Sequence, residues 1–315
     1  MKKLYKIVFM GTPEFAVPSL ERLISNGYMV CAVVTQPDKK RGRGGSVSFS
    51  PVKTTARSHG IKVIQPEKAR DAAFISELSD LQADLFVTCA YGQILPKSIL
   101  DIPPLGCINV HASLLPAYRG AAPIHRAVMN GDPITGVTTM MTDAGMDTGD
   151  ILLSAKTEIP EDMTSGKLHD KLKIIGADLL VETIEKLSLG SLKRVPQDDS
   201  WASYAPMLRK EEGIIDWNKD SRSIHNKIRA LDPWPGCFST YKGKRMRISS
   251  SGYEKGNACG IPGEITTASK DQVVVCCGRG SLCIFEVQFE NGKRLHIAEC
   301  WHNFRTNEVL GREEW

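Results

Sequence analysis

Tyr5-Lys6-Ile7-Val8-Phe9-Met10-Gly11-Thr12-Pro13-Glu14 is the stretch on which the fold turns. An apolar run of strand length gives way to a glycine and then to Thr12-Pro13. Thr12 suits a helix N-cap, and Pro13 suits the first helical position, where a missing N–H costs nothing. The apolar run reads as a strand buried on both faces. The helix that follows stops near Asn26-Gly27, and Val30 to Thr35 is a second strand. Strand, helix and strand in that order imply a right-handed crossover and a doubly wound, mostly parallel α/β sheet. The first turn lacks G-x-G-x-x-G, so a dinucleotide site is not expected there.

The alternation continues. Val52 to His59 reads as a helix closed by Gly60, and Ile61 to Ile64 as a short strand. Residues 68–82 make an amphipathic helix with Phe74, Leu78 and Leu81 on one stripe. Asp84 to Ala90 is an apolar strand that runs into Tyr91-Gly92-Gln93-Ile94-Leu95-Pro96. That turn suits a flat heteroaromatic ring held against backbone groups, or a plain strand-to-helix loop with Ile94 and Leu95 facing the core.

Leu105 to Pro116 contains Cys107-Ile108-Asn109-Val110-His111-Ala112-Ser113-Leu114-Leu115-Pro116. Side chains alternate along a strand, so Asn109 and His111 leave one face and Ile108 and Val110 the other. In an open α/β sheet, ligands bind at the carboxyl ends of the strands. An amide donor beside an imidazole is a pair suited to acyl-type chemistry. About 35 residues on, Asp143-Ala144-Gly145-Met146-Asp147-Thr148-Gly149-Asp150 is a polar, Gly-rich loop between two strand-like runs. It can bring a carboxylate to the imidazole. Its three aspartates lack the order of a calcium loop, so no metal is expected.

With 315 residues the chain is long enough for two domains, and its 42% hydrophobic and 24% charged content is ordinary for a soluble enzyme. The net charge of +4 permits an acidic partner without demanding one. The nine cysteines show no C-x-x-C and no zinc spacing, which favours reduced, mostly buried thiols. No apolar run is long enough for a membrane span. Gln36 to Pro51 reads as a long polar loop, and its Lys39, Lys40, Arg41 and Arg43 stand among three glycines, a strip suited to a phosphate backbone. Thr164 can cap a long helix carrying Leu168, Leu172, Ile175, Leu179 and Leu180. Beyond it, 1–189 reads as one domain, 190–207 as a linker and 208–315 as a second domain of short strands. The turns Tyr241-Lys242-Gly243-Lys244 and Glu290-Asn291-Gly292-Lys293 punctuate those strands. Lys242, Lys244, Arg245 and Arg247 cluster on the first hairpin, which can follow an RNA backbone or form a solvated edge.

The run Asn109 to Pro116, followed by Arg119-Gly120-Ala121-Ala122-Pro123-Ile124 and by Asp147-Thr148-Gly149-Asp150, resembles the folate-dependent formyltransferases. The likeness extends from Met10-Gly11-Thr12-Pro13 to Trp234-Pro235-Gly236, and it points to the branch that acts on initiator methionyl-tRNA. It implies a Rossmann-like catalytic domain with a C-terminal OB-like β-barrel. It also implies transfer of a formyl group from 10-formyltetrahydrofolate to the α-amine of the methionine, without a metal. Under that resemblance Asn109 donates to the developing oxyanion, His111 stabilises charge or moves a proton, and Asp147 holds His111 or takes the amine proton through water. Ser113, Leu114, Leu115 and Pro116 shape the donor pocket, with Tyr91, Gly92, Ile94 and Leu95 near the pterin. Lys39, Lys40, Arg41 and Arg43 contact the tRNA. Ser46-Val47-Ser48-Phe49 stands where the family usually keeps further basic residues and a proline. A cytoplasmic monomer is expected. An amino sugar nucleotide as acceptor, or a non-catalytic tRNA-binding protein, are the competing readings.

Overall fold

The computed structural model describes residues 4–41, 46–257 and 260–311. In chain order the elements are β1 (Lys6–Gly11), α1 (Val17–Ser25), β2 (Met29–Val34), β3 (Lys39–Arg41), β4 (Ser46–Ser48), α2 (Pro51–Ser58), β5 (Lys62–Ile64), α3 (Ala72–Asp80), β6 (Leu85–Cys89), α4 (Lys97–Leu100), β7 (Cys107–His111), α5 (Pro123–Asn130), β8 (Ile134–Met141), β9 (Ile151–Glu158) and α6 (Ser165–Ser188). They continue with α7 (Ser221–Ala230), β10 (Cys237–Tyr241), β11 (Lys244–Glu254), β12 (Ile265–Ala268), β13 (Val273–Cys276), β14 (Ser281–Phe289), β15 (Arg294–His296) and α8 (Ile297–Cys300). The chain divides into two compact units. The first holds residues 1–120, 135–157 and 169–205, and the second holds 121–134, 158–168 and 206–315.

The first unit is built on a seven-stranded sheet in the order β5-β2-β1-β6-β7-β8-β9. Strands β5, β2, β1, β6 and β7 pair in parallel, and β8 runs antiparallel to β7. The sheet is therefore mixed and mostly parallel. Ile7, Phe9, Met10, Leu85, Phe86 and Ile108 are fully buried within it, as continuous apolar strands covered on both faces must be. One side packs Phe86, Val8 and Val34 with Phe74, Leu78, Leu95 and Ile99. The helix expected over residues 68–82 begins only at Ala72. The Ala69 N–H donates to Gln93 Oε1 at 2.7 Å, a long-range bond that holds this backbone outside the helix. The helix stops before Gln82, whose φ is 47°.

The polar stretch 36–51 is not all loop. Lys39–Arg41 pairs antiparallel with Ser46–Ser48, a short ladder that satisfies backbone groups the segment would otherwise expose. Its base is tied down by Lys53, which donates to Asp38 and, at 2.6 Å, to Gln65 Oε1. Gln65 in turn donates to Gln36 O at 2.8 Å and Asp38 Oδ1 at 3.0 Å. The Lys53 ammonium on Asp38 holds that carboxyl below its usual range.

The second unit carries an antiparallel sheet in the order β10-β11-β14-β13-β12, with β15 also on β14. Among the described residues no pairing joins its ends into a closed barrel. Trp217, Ile224, Ile228, Met246, Ile248, Val275, Ile284 and Val287 form its core, and the Trp217 indole N–H donates to Ser239 Oγ at 3.0 Å. The β10–β11 turn places Lys242 at φ 50° and Gly243 at φ 69°, the left-handed pair that a two-residue hairpin requires. Cys31, Cys89, Cys107, Cys237, Cys277, Cys283 and Cys300 are free thiols. Cys276 departs from the expected reduced set, being disulfide-bonded. Among the described residues no helix is long and apolar enough to cross a membrane.

Phe86, fully buried on β6 among Phe74, Leu78 and Ile99, gives a test of this core. Phe86→Ala is expected to destabilise the first unit by about 3–5 kcal/mol, read as a lower urea midpoint in chemical denaturation.

Candidate active site

Asn109 and His111 leave the end of β7 on one face, as their alternation requires. Asn109 lies opposite Thr88 on β6 and Met140 on β8, and His111 lies opposite Thr138 on β8. Thr88 Oγ1 donates to Asn109 Oδ1 at 2.9 Å. With its oxygen occupied, the amide turns its Nδ2 toward Asp147, 3.5 Å from Oδ1. The imidazole of His111, only 6% exposed, has Nε2 at 2.9 Å from Tyr118 O. A carbonyl can only accept, so Nε2 carries the hydrogen in that contact. Nδ1 then faces Asp147 Oδ2 at 3.6 Å.

Asp147 itself sits in the left-handed region, with φ 55°, uncommon for a residue with a side chain. Its Oδ2 accepts the Gly120 N–H at 2.8 Å. The loop around it is held by close contacts. A Cβ at Gly149 would stand 1.8 Å from the Met141 carbonyl oxygen, so only glycine fits. Gly120, at φ 118°, approaches the backbone of Ala205, where a Cβ would meet the carbonyl at 2.9 Å. Asn109, His111 and Asp147, 38 residues apart at the extremes, are thus brought together within hydrogen-bond or near-contact distance.

The other expected residues divide. Ser113 is fully buried and donates to Ala117 O at 2.6 Å. Leu115 is buried, and its N–H donates to Thr138 Oγ1 at 3.1 Å. Leu114 and Pro116 are half-buried and keep surface toward solvent. At the end of β6, Ile94 is 78% exposed while Leu95 is buried in the core. Tyr91 is buried, and its hydroxyl has no hydrogen-bond partner among the described residues; burial pushes it up to about 12. Its carbonyl accepts from Thr12 Oγ1 at 2.9 Å and Gln36 Nε2 at 3.3 Å. Gly92 is exposed at φ 89°. The loops after β1, β6 and β7 all lie at the carboxyl ends of parallel strands, where an α/β crevice opens. Lys39 is exposed. Lys40 and Arg41 lie on β3, and Arg43 lies outside the described residues.

Thr88 and Gln197 have no part in the sequence reading. Thr88 is the one hydroxyl in an apolar strand, and its register against Asn109 appears only once β6 and β7 are paired. Gln197 donates to Asp147 O at 2.9 Å and to Gly149 O at 2.7 Å, from a stretch read as linker. Among the described residues no group of three or more His, Cys, Asp or Glu is placed to hold a metal ion.

Residues 5–184 match the family described as formyl transferase, and residues 207–305 match its C-terminal domain. The protein named methionyl-tRNA formyltransferase from Acetivibrio thermocellus is 52% identical over 310 residues, covering 98% of this chain and all of that one. Its namesake from Ruminiclostridium cellulolyticum is 50% identical over 313 residues with the same coverage. Among solved structures, a sugar 3N-formyl transferase, WlaRD, in the presence of dTDP and 5-N-formyl-THF has a TM-score of 0.68 at 21% identity. It covers 92% of this chain and all of its own. An N-formyltransferase from Helicobacter canadensis in complex with folinic acid and dTDP-3-aminofucose gives 0.66 at 22% identity, over 93% of this chain and all of its own.

Two thiols flank these strands, Cys89 at the end of β6 and Cys107 at the start of β7. Burial pushes Cys89 up to about 12 and Cys107 up to about 11, so neither supplies a thiolate near neutral pH. Iodoacetamide at pH 8 is expected to leave both unlabelled in the native protein and to label both after denaturation, as peptide mass spectrometry would show.

Proposed function

We propose the following for a chain that belongs to the methionyl-tRNA formyltransferase family: it transfers the formyl group of 10-formyltetrahydrofolate to the α-amino group of methionyl initiator tRNA. The observation that carries this reading is identity of about half over essentially the whole chain to proteins of that name, with an amide, an imidazole and a carboxylate converging at the end of one strand. Likeness to the sugar-acting enzymes is at the level of the fold.

The folate supplies the activated formyl group, and the residues at hand fit such a donor. Exposed Ile94 and half-buried Leu114 and Pro116 offer apolar surface at the strand ends, beside the backbone groups of Tyr91 and Gly92, with Ser113 and Leu115 fixing the loop from beneath and Leu95 anchoring its neighbour in the core. The neutral methionyl amine attacks the formyl carbon, and negative charge gathers on the formyl oxygen. Asn109 donates an Nδ2 hydrogen to that oxygen, its amide fixed beforehand by Thr88. Preorganised donors of this kind act without reorganisation at the moment of reaction. His111, with Nε2–H committed to Tyr118 O, has Nδ1 as the nitrogen free to take a proton from the attacking amine. Asp147 Oδ2 faces that same nitrogen and stabilises it once protonated. Collapse of the tetrahedral adduct breaks the bond between the formyl carbon and folate N10, and N10 takes the proton from His111 as tetrahydrofolate leaves. Asp147 is kept in place by the Gly120 amide rather than by the imidazole.

The acceptor side rests on cations. Lys39, Lys40, Arg41 and Arg43, close together in the sequence, are the cations proposed to meet phosphates. In the second unit, a cleft of about 430 Å³ is lined by Lys210, Trp234, Phe238 and Arg245, and the Arg245 guanidinium lies 3.5 Å from the Phe238 ring centroid. Aromatic and cationic surface of this kind suits single-stranded nucleic acid. Residues 1–189 carry catalysis and 208–315, OB-like in role, carry RNA contact, with 190–207 between them. A single chain supplies every group invoked, which suits a monomer working in the cytoplasm beside translation.

Transfer from labelled 10-formyltetrahydrofolate should reach initiator methionyl-tRNA and bypass elongator methionyl-tRNA and a dTDP-amino sugar. Transfer to the sugar alone overturns the acceptor, and transfer to none overturns the activity. Asn109→Ala should lower kcat by about 10²–10³. A loss below about tenfold in a variant that still binds folate removes the oxyanion role from Asn109.

A further inference from the structure

The segment after α6 does more than connect. Val195 exchanges both backbone hydrogen bonds with Ile151, at 2.8 and 2.9 Å. Further on, Arg119 N–H donates to Ser203 O at 2.8 Å, Ala205 N–H to Arg119 O at 2.7 Å, and Tyr118 N–H to Ser203 Oγ at 2.9 Å. Residues 195–205 thus lie along the two backbone stretches that deliver Tyr118, Gly120 and Asp147 to the site.

Between these anchors sits Gln197. Its Nε2 has two hydrogens, and both are used, on Asp147 O and Gly149 O. Its Oε1 has two lone pairs, and both are used, by Arg119 Nε at 3.1 Å and Nη2 at 2.8 Å. Arg119 is 2% exposed, and its Nη2 also donates to Asp199 Oδ1 at 2.7 Å. A glutamine amide with every donor and acceptor committed has one orientation. A buried guanidinium is costly to hold unless its donors are met, and the planar fork of Arg119 meets this requirement by gripping Gln197. The two carbonyls that Gln197 grips belong to Asp147, itself left-handed, and to Gly149 two residues on.

We propose that Gln197, oriented by Arg119, is a positioning residue for formyl transfer. It clamps the 147–149 turn so that the Asp147 carboxylate stays on the Gly120 N–H and opposite His111 Nδ1. The inference rests on the reading of Asp147 as part of the transfer site. It gives residues 190–207 a positioning duty, since Gln197 and the backbone anchors at Val195, Ser203 and Ala205 lie there. Backbone that departs from its preferred region persists only where its surroundings over-determine it, and Gln197 together with Gly149 supplies that determination.

Gln197→Met keeps length and volume while removing all four hydrogen bonds. It is expected to lower kcat by about 10- to 10²-fold, with KM for folate and for methionyl-tRNA changed less than about twofold. The Gly120 amide reports the carboxylate directly, because Asp147 Oδ2 is its acceptor. In protein labelled with ¹⁵N-glycine, Gly120 exchange in Gln197→Met should rise toward the rate in Asp147→Ala, while Gly11 on β1 stays as in the parent. Gln197→Asn, too short to span both carbonyls, should behave likewise and serves if the Met variant does not fold. A Gly120 rate equal to the parent's overturns the clamp whatever kcat does, and so does an effect confined to KM. If the parent transfers no formyl group to methionyl-tRNA, the proposed activity fails, and the Gly120 exchange still decides the clamp.

Discussion

The pairing register of β7 is the constraint on which the candidate site depends. The strand is hydrogen-bonded on both edges, in parallel to β6 and antiparallel to β8, so its own backbone is satisfied and its side chains are free to act. Asn109 meets Thr88 across one edge, and His111 meets Thr138 across the other. A slip of one residue would turn Ile108 and Val110, now 0% and 3% exposed, into the site and place the amide and imidazole on the opposite, apolar face. The apolar partners on the opposite face make that slip costly. The hydrophobic core therefore sets the chemistry by forbidding any other register.

Charge placement follows from the same geometry. A carboxylate beside an imidazole tends to close into a tight pair, and a tight pair would commit the Nδ1 needed for a proton. Here Oδ2 of Asp147 is taken by the Gly120 amide at 2.8 Å and stands 3.6 Å from Nδ1. The Tyr118 carbonyl meanwhile commits Nε2. Backbone groups thus hold the two side chains near each other without closing them into a tight pair, which is the spacing the proposed proton transfer needs.

Much of this arrangement is legible in the linear sequence because it is local. The apolar runs of β1, β6 and β7, the alternation of Asn109 with His111 and the Lys242-Gly243 turn each follow from residues within a few positions of one another. Thr12 and Pro13 do not open the first helix as expected: a 3-10 turn at Glu14–Ala16 intervenes, α1 starts at Val17, and Thr12 Oγ1 donates to the Tyr91 carbonyl rather than to a helix N–H. What escapes the sequence is long-range. Ala69 is kept out of α3 by Gln93, and Lys39–Arg41 is an edge of a ladder because Ser46–Ser48 comes back beside it. Residues 121–134 and 158–168 join the second compact unit, although their α/β pattern looks continuous with the first. Gln197 is the clearest case. A lone glutamine between Pro196 and Asp198 carries no periodicity, and the three residues that take its four hydrogen bonds are 48 to 78 positions away in the chain.

The second unit shows why counting charges in a sequence overstates a basic patch. Of the four cations grouped on the β10–β11 hairpin, Arg247 donates to Asp232 and to the Pro233 carbonyl, and Lys242 pairs with Glu308. Arg245 spreads over the Phe238 ring, which leaves its charge available while its flat face is buried against carbon. Cations already paired with carboxylates release few counterions when a phosphate arrives. In the proposed reading, recognition at this surface comes less from the sum of charge than from a few groups held in shape. An arginine laid on an aromatic ring beside an exposed tryptophan is such a group: it stacks as well as attracts, and stacking does not weaken with salt as ion pairing does.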